Sequence, residues 1–208
     1  MKEEQDYIRD IAEIRTMMER SSKFLSLSGW AGILAGIYAL AGAYIAYKLF
    51  NFNPDTIVYS PSDAASVSPG LLKVILLATG ILLLAISTAV VLSNKQANKR
   101  GEKVWNATSR RLLVNMAVPL VTGGILILIL ISKGLIGLIA PLTLLFYGLA
   151  LFNASKVTYA EVKFLGLIQM GLGLLSAYFV SYSLLFWALG FGLLHIIYGI
   201  YLHFKYER

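Results

Sequence analysis

The chain has 208 residues, of which 58% are hydrophobic and 14% charged, and its mean hydropathy is +0.72. An ordinary soluble domain carries about 25% charged residues, so the composition excludes a soluble globular protein and predicts a polytopic membrane protein. The net charge of +7 does not indicate nucleic-acid binding, because the basic residues flank apolar runs, where they set membrane orientation. The lack of cysteine excludes disulfides, thiol catalysis and cysteine-based metal sites.

Residues 1–23 are predicted to form a cytoplasmic amphipathic helix that precedes the membrane domain. Tyr7, Ile11, Ile14 and Met18 follow the 4-3-4 spacing of one helical face. The segment holds five basic and six acidic residues, whereas a helix that lies on anionic lipid is rich in Lys and Arg. We therefore interpret the stripe as a partner-binding surface, for a second copy of the chain or for loops of the same bundle. A solvated extension is the alternative.

Residues 24–208 are predicted to form one domain, an all-α bundle of six transmembrane helices. Each predicted span lies in an apolar run close to the length of about 20 residues that crosses a bilayer. The last run has 41 residues between Lys163 and Lys205 without an acid, lysine or arginine, so we divide it into two spans. The predicted spans are 24–47, 71–94, 112–131, 135–153, 164–180 and 184–203.

Small residues recur along the predicted first span. Ser28, Gly32 and Gly36 lie four residues apart, which places them on one ridge of a helix. Such ridges let helix backbones approach closely inside a bilayer. We interpret the ridge as a helix-packing surface.

The distribution of basic residues predicts the orientation. Six spans place both termini on one side of the membrane, together with the loops 95–111 and 154–163. This side carries 15 of the 18 Lys and Arg residues. Because Lys and Arg concentrate in cytoplasmic loops, both termini are expected in the cytoplasm. The predicted location is the cell (cytoplasmic) membrane, with a multi-pass topology and the lipid bilayer as surroundings.

Three polar side chains fall inside predicted spans. Asn115, Gln169 and His195 come from three different helices, and no acid, lysine or arginine lies well inside a span. Buried charges mark proton relays and ion pathways, so their absence argues against a pump. Together with Tyr198, the three residues are a candidate ligand-binding site in an inward-facing pocket. The alternative is ordinary interhelical hydrogen bonding, at about 0.6–2 kcal/mol per contact.

No second metal ligand stands at a suitable spacing beside His195. The sequence therefore predicts no metal, no cofactor and no catalytic residue, and it contains no phosphate-binding loop or hydrolase motif.

Pro119 lies inside the third predicted span and is followed by Gly123 and Gly124. Proline frees the carbonyl four residues earlier, here that of Asn115, and tends to kink a helix. These three residues are a candidate hinge, and a static kink is the alternative.

The last third of the chain carries several short motifs. They are Tyr147-Gly148-Leu149-Ala150, Asn153-Ala154-Ser155-Lys156, Phe186-Trp187-Ala188-Leu189-Gly190-Phe191-Gly192, and His195 with Tyr198-Gly199. Through these residues the chain resembles an uncharacterised family of small bacterial six-span integral membrane proteins. The resemblance implies a bacterial cytoplasmic membrane and implies no activity.

Three functional hypotheses follow from the sequence. The first is a non-enzymatic interaction or regulatory membrane protein, either a homodimer or a protein with a helical partner. The second is a small transporter or channel for a neutral or weakly polar solute. The third is an intramembrane enzyme acting on lipid, with His195 as its base.

Overall fold

A computed structural model describes residues 24–52, 69–99, 101 and 105–207 of the chain. The predicted helix at 1–23, with its stripe of Tyr7, Ile11, Ile14 and Met18, lies outside the described residues. Within them the chain forms six helices. They are α1 (Gly29–Lys48), α2 (Pro69–Lys99), α3 (Ala107–Ser132), α4 (Ile139–Ala154), α5 (Val162–Tyr178) and α6 (Val180–Glu207).

The predicted fold class, an all-α membrane bundle of six helices, is confirmed. The described part of the chain contains no strand. Five helices are long and apolar enough to cross a membrane, where α4 is counted with the 3-10 turn Ile136–Leu138 that leads into it. The remaining helix, α5, has 17 residues and is also apolar.

The six helices pack in an order that differs from their order along the chain. α1 packs between α2 and α6, and α4 packs between α3 and α5. The first part of α6 contacts both α4 and α5, which joins the two groups into one bundle. α2 packs on α1 and otherwise presents exposed apolar side chains, such as Leu83 and Val91, as a helix that faces lipid does.

Glycines let α1 and α6 approach until their backbones touch. A Cβ atom at Gly36 would lie 2.6 Å from the carbonyl oxygen of Gly192, and one at Gly199 would lie 2.6 Å from the amide nitrogen of Ile33. A larger residue at either position would push the helices apart, because cores packed this closely have no spare volume. The ridge predicted from Gly32 and its neighbours therefore lies at the α1–α6 interface.

The first helix begins five residues later than the predicted span 24–47. Residues 24–28, which we call the junction segment, are not helical and lie against the loop between α4 and α5. The Phe24 amide donates to the Val157 carbonyl at 2.7 Å, and the Thr158 hydroxyl donates to the Phe24 carbonyl at 2.7 Å. The Tyr159 hydroxyl donates to the Leu25 carbonyl at 2.5 Å. These side-chain and loop partners satisfy backbone groups that a helix would otherwise satisfy.

Both ends of the described chain lie at the same end of the bundle, which we call the terminal end. The clearest contact is between the two ends themselves, since the Gly29 amide donates to the Glu207 carboxylate at 2.7 Å. Lys95, Lys99 and the basic start of α3 lie at the terminal end as well. The opposite end carries three lysines, Lys48, Lys73 and Lys133.

Candidate functional site

The helix α6 departs from α-helical geometry in its middle. Residues Ala188–Leu193 form a π-helical segment, in which the Leu194 amide bonds to the Leu189 carbonyl five residues back. Such π segments are often found at functional sites. Here the segment contains Gly190, whose carbonyl oxygen accepts two side-chain hydrogen bonds in the interior of the bundle.

The two donors to the Gly190 carbonyl are Gln169 and His195, two of the residues of the predicted inward-facing pocket. Nε2 of Gln169 on α5 lies 2.8 Å from this oxygen, and Nδ1 of His195 on α6 lies 2.9 Å from it. Both side chains are buried, with exposed fractions of 0% for Gln169 and 7% for His195. Gly190 thus joins the two predicted site residues through its backbone.

The hydrogen bonds of His195 define its tautomer. A carbonyl oxygen can only accept, so Nδ1 must carry the proton that is shared with Gly190. In a neutral ring Nε2 is then an acceptor, and the Tyr147 hydroxyl, 2.9 Å away, donates to it. Both ring nitrogens of His195 are therefore occupied by internal partners.

The resulting group, Tyr147–His195–Gly190–Gln169, is called the polar chain below. Aromatic rings surround its tyrosine end, since the Phe191 ring centroid lies 5.0 Å from that of Tyr147 and 5.9 Å from that of His195. At the other end the Gln169 side chain packs against Gly190, where an added Cβ would lie 2.5 Å from Oε1 of Gln169. A hydrogen-bonded group packed this way fixes how α4, α5 and α6 meet.

The other two predicted ligand residues take no part in the polar chain. Asn115 is half-buried on α3, which packs against α4, and no hydrogen bond among the described residues joins it to Gln169 or His195. The Tyr198 hydroxyl is buried and has no hydrogen-bond partner in this part of the structure. It lies within an apolar cluster that also contains Leu202.

The candidate hinge residues lie in an unbroken helix. α3 runs through Pro119, whose side chain is buried. Gly123 is a packing position, because a Cβ there would lie 2.5 Å from the Phe146 ring, whereas Gly124 faces open space. Hinge motion in α3 stays a prediction.

A second polar group, which the sequence interpretation missed, lies at the terminal end. Oε1 of Glu161 accepts hydrogen bonds from Nζ of Lys205 at 2.5 Å and from the Tyr206 hydroxyl at 2.8 Å. Partial burial favours the protonated acid, but these bonds outweigh it and hold the pKa of Glu161 below its ordinary value. This ion pair ties the α4–α5 loop to the end of α6.

Glu207 forms a further carboxylate contact at the terminal end. Its Oε1 accepts from the Gly29 amide, and its Oε2 lies 2.7 Å from Nδ1 of His203. The first amides of a helix have no partner inside the helix and favour a nearby negative charge. Glu207 therefore caps α1 from the far end of the chain.

Sequence signals existed for only some of these residues. Tyr147 belongs to one of the motifs noted above, and Gly190 stands five residues before His195 in another. Glu161 and Glu207 flank spans, where acids are common, so nothing in their spacing predicts their partners. In the described ranges no three His, Cys, Asp or Glu residues are grouped so that they could hold a metal ion.

Comparison of the chain with protein families, with curated proteins and with solved structures finds no match. The bacterial six-span family that the last third resembles is therefore not confirmed, although the apolar helices are consistent with it.

Proposed function

We propose that this protein is a non-enzymatic interaction or regulatory protein of the bacterial cytoplasmic membrane. The observation that carries the proposal is the internal hydrogen bonding of the His195 ring. Both ring nitrogens of His195 are engaged, by Tyr147 and by Gly190, so a solute could contact either ring nitrogen only by displacing one of these partners. The His195 ring is thus used for packing between helices, and we look to the surface of the protein for recognition.

The junction segment supports a regulatory role for the residues that precede it. Three hydrogen bonds hold Phe24 and Leu25 to the loop between α4 and α5. The same loop carries Glu161, which bonds to Lys205 at the end of α6. A partner bound to residues 1–23 would therefore act on a part of the chain that is directly connected to three helices.

The orientation in this proposal places the terminal end in the cytoplasm. Lys and Arg concentrate at the terminal end, and the opposite end carries only Lys48, Lys73 and Lys133 among the described residues. This asymmetry supports cytoplasmic termini through the preference of basic residues for cytoplasmic loops. Cysteine labelling from either side of intact cells, with single cysteines introduced at Ala160 and at Ser132, tests the assignment because the native chain has no cysteine.

The partner surface is tested in the full-length protein by native mass spectrometry from nanodiscs. We expect the wild type to retain a second copy or a helical partner protein. A variant with serine on the apolar stripe is expected to lose it. The four positions to change are Tyr7, Ile11, Ile14 and Met18.

The matched control changes the polar positions Arg9 and Glu13 to serine, which leaves the net charge of the segment unchanged. This control should retain the partner. A wild-type protein that is strictly monomeric and carries no partner would contradict the proposal. A stripe variant that retains the partner as the wild type does would also contradict the proposal.

A small transporter or channel for a neutral solute is the second candidate, and one observation favours it. Side-chain oxygens of Gln169, Ser176 and Tyr198 are buried and have no hydrogen-bond partner in the described part of the chain. Buried polar atoms are normally satisfied by protein or by ordered water, so water or a small polar solute would satisfy them.

Swelling of proteoliposomes in glycerol and in urea tests this function. His195→Ala should abolish the swelling at unchanged folded yield, and unchanged swelling would argue against transport.

A further inference from the structure

A cleft of about 350 Å³ opens at the terminal end of the bundle. It lies between the start of α1, the end of α2 and the end of α6. Lys95 and Lys99 line it from α2, Trp30 from α1, and His203 and Glu207 from α6. The cleft is separate from the polar chain, which lies deeper in the bundle.

The cleft has two positive charges without an ion-pair partner among the described residues. Lys95 and Lys99 are four residues apart, so they point from the same face of α2 with their Cβ atoms about 5–6 Å apart. Neither forms an ion pair with an acid in the described residues. Of the described residues that line the cleft, Glu207 carries a carboxylate, and this group is already bound by the Gly29 amide and by His203.

The position of Lys95 along α2 places the cleft at the membrane surface. Residues 74–94, between Lys73 and Lys95, form a run of 21 residues without charge. At about 1.5 Å per residue this run is about 31 Å long, which matches the hydrocarbon thickness of about 30 Å. Lys95 therefore lies at the edge of the hydrocarbon, and Lys99 lies one turn further out at the level of the headgroups.

Apolar side chains line the membrane side of the same cleft. Trp30 is half-exposed and contacts the His203 ring edge-on, with 5.5 Å between the ring centroids. Tryptophan is enriched at the boundary between hydrocarbon and headgroups. Leu92 also lines the cleft, one turn of α2 closer to the membrane centre than Lys95. The cleft thus changes from cationic to apolar in the direction of the bilayer.

We propose that this cleft binds the phosphate group of an anionic phospholipid, with the acyl chains lying in the bilayer beside α1 and α2. Basic pockets between transmembrane helices bind anionic headgroups in this way. Lys95 and Lys99 contact the phosphate, and Trp30 packs on the glycerol region. The inference rests on the membrane location of the protein and does not require a partner bound to residues 1–23.

The test uses delipidated full-length protein, titrated with lipid and observed by native mass spectrometry. Phosphatidylglycerol should bind more tightly than phosphatidylcholine with the same acyl chains. The double variant Lys95→Gln and Lys99→Gln should bind phosphatidylglycerol about 30-fold more weakly, because each lysine near an anionic lipid contributes about 1 kcal/mol. Both lysines are exposed, so folding should be unaffected, and the corresponding Lys→Arg double variant should restore binding.

The matched control removes two charges at the same end of the bundle but outside the cleft, through Lys156→Gln and Lys163→Gln. Its affinity should stay within about threefold of the wild type, because long-range attraction between exposed charges is largely screened by salt. Equal losses in both double variants would overturn the proposal in favour of general surface attraction. Inorganic phosphate that binds as tightly as phosphatidylglycerol would overturn the lipid assignment, since a phosphate site would then need no lipid.

Discussion

Replacing Gly190 by alanine tests whether the polar chain fixes the packing of α4, α5 and α6. The added Cβ would lie 2.5 Å from Oε1 of Gln169 and would also meet the Leu144 side chain, which is 0% exposed and has no room to move. Overpacking of a core costs about 1–3 kcal/mol, and loss of the Gln169 bond adds about 0.6–2 kcal/mol. Alanine has a higher helix propensity than glycine, which offsets about 1 kcal/mol of this loss of stability.

The expected net loss for Gly190→Ala is centred on about 2.3 kcal/mol. For a chain of this size that corresponds to a Tm about 5–10 °C lower, measurable by intrinsic tryptophan fluorescence in detergent. Gly171→Ala, two residues beyond Gln169, is the matched control because nothing lies within 4 Å of its added Cβ. Its Tm should be unchanged or slightly raised. Equal Tm values for the two variants would refute the reasoning.

Three further changes probe other contacts. Gly199→Ala places a Cβ against the backbone of α1 and should lower Tm by several degrees relative to the open position Gly124→Ala; equal values would contradict close packing of α1 and α6. Tyr147→Phe removes the donor to the buried histidine and should cost about 1 kcal/mol of unfolding free energy, a loss that a chemical-unfolding series would detect. Glu161 has a lowered pKa, so its contribution is present above the ordinary carboxyl pKa and is lost as pH falls through the folded value. Glu161→Gln should therefore flatten the acid side of the Tm–pH profile, and a profile parallel to that of the wild type would exclude this role.

The predicted helices followed from runs of apolar residues, and for that reason the fold class could be read from the sequence. A run of about 20 residues without charge can satisfy its backbone in lipid only as a helix or as part of a barrel. The start of α1 was predicted too early because Phe24 and Leu25 are as apolar as the helix that follows. Their backbone groups bond to Val157, Thr158 and Tyr159, and no local pattern indicates such distant partners.

The polar residues of the candidate site could be picked out from the sequence, but which of them meet could not be predicted. Counting about 1.5 Å per residue along each span places Asn115 and Gln169 in the cytoplasmic half of the membrane and His195 near its middle. Which of them meet depends on how each helix is rotated about its axis and on the π segment of α6, which shifts the register of the residues after it. The structure joins Gln169 to His195 through the Gly190 carbonyl and leaves Asn115 on a different helix pair. A ligand role for these residues stays a prediction.

The cap that Glu207 provides for α1 has a consequence for biosynthesis. The two groups are 178 residues apart, so α1 is synthesised long before Glu207, and its leading amide gains this partner only after α6 has been made. The glycine contacts between α1 and α6 form only at the same late stage. Contacts between residues so distant in sequence slow folding. Insertion of the helices and final assembly of the bundle are therefore separate events, and a chain that stalls before α6 exposes the glycine surface of α1 to whatever other helices share the membrane.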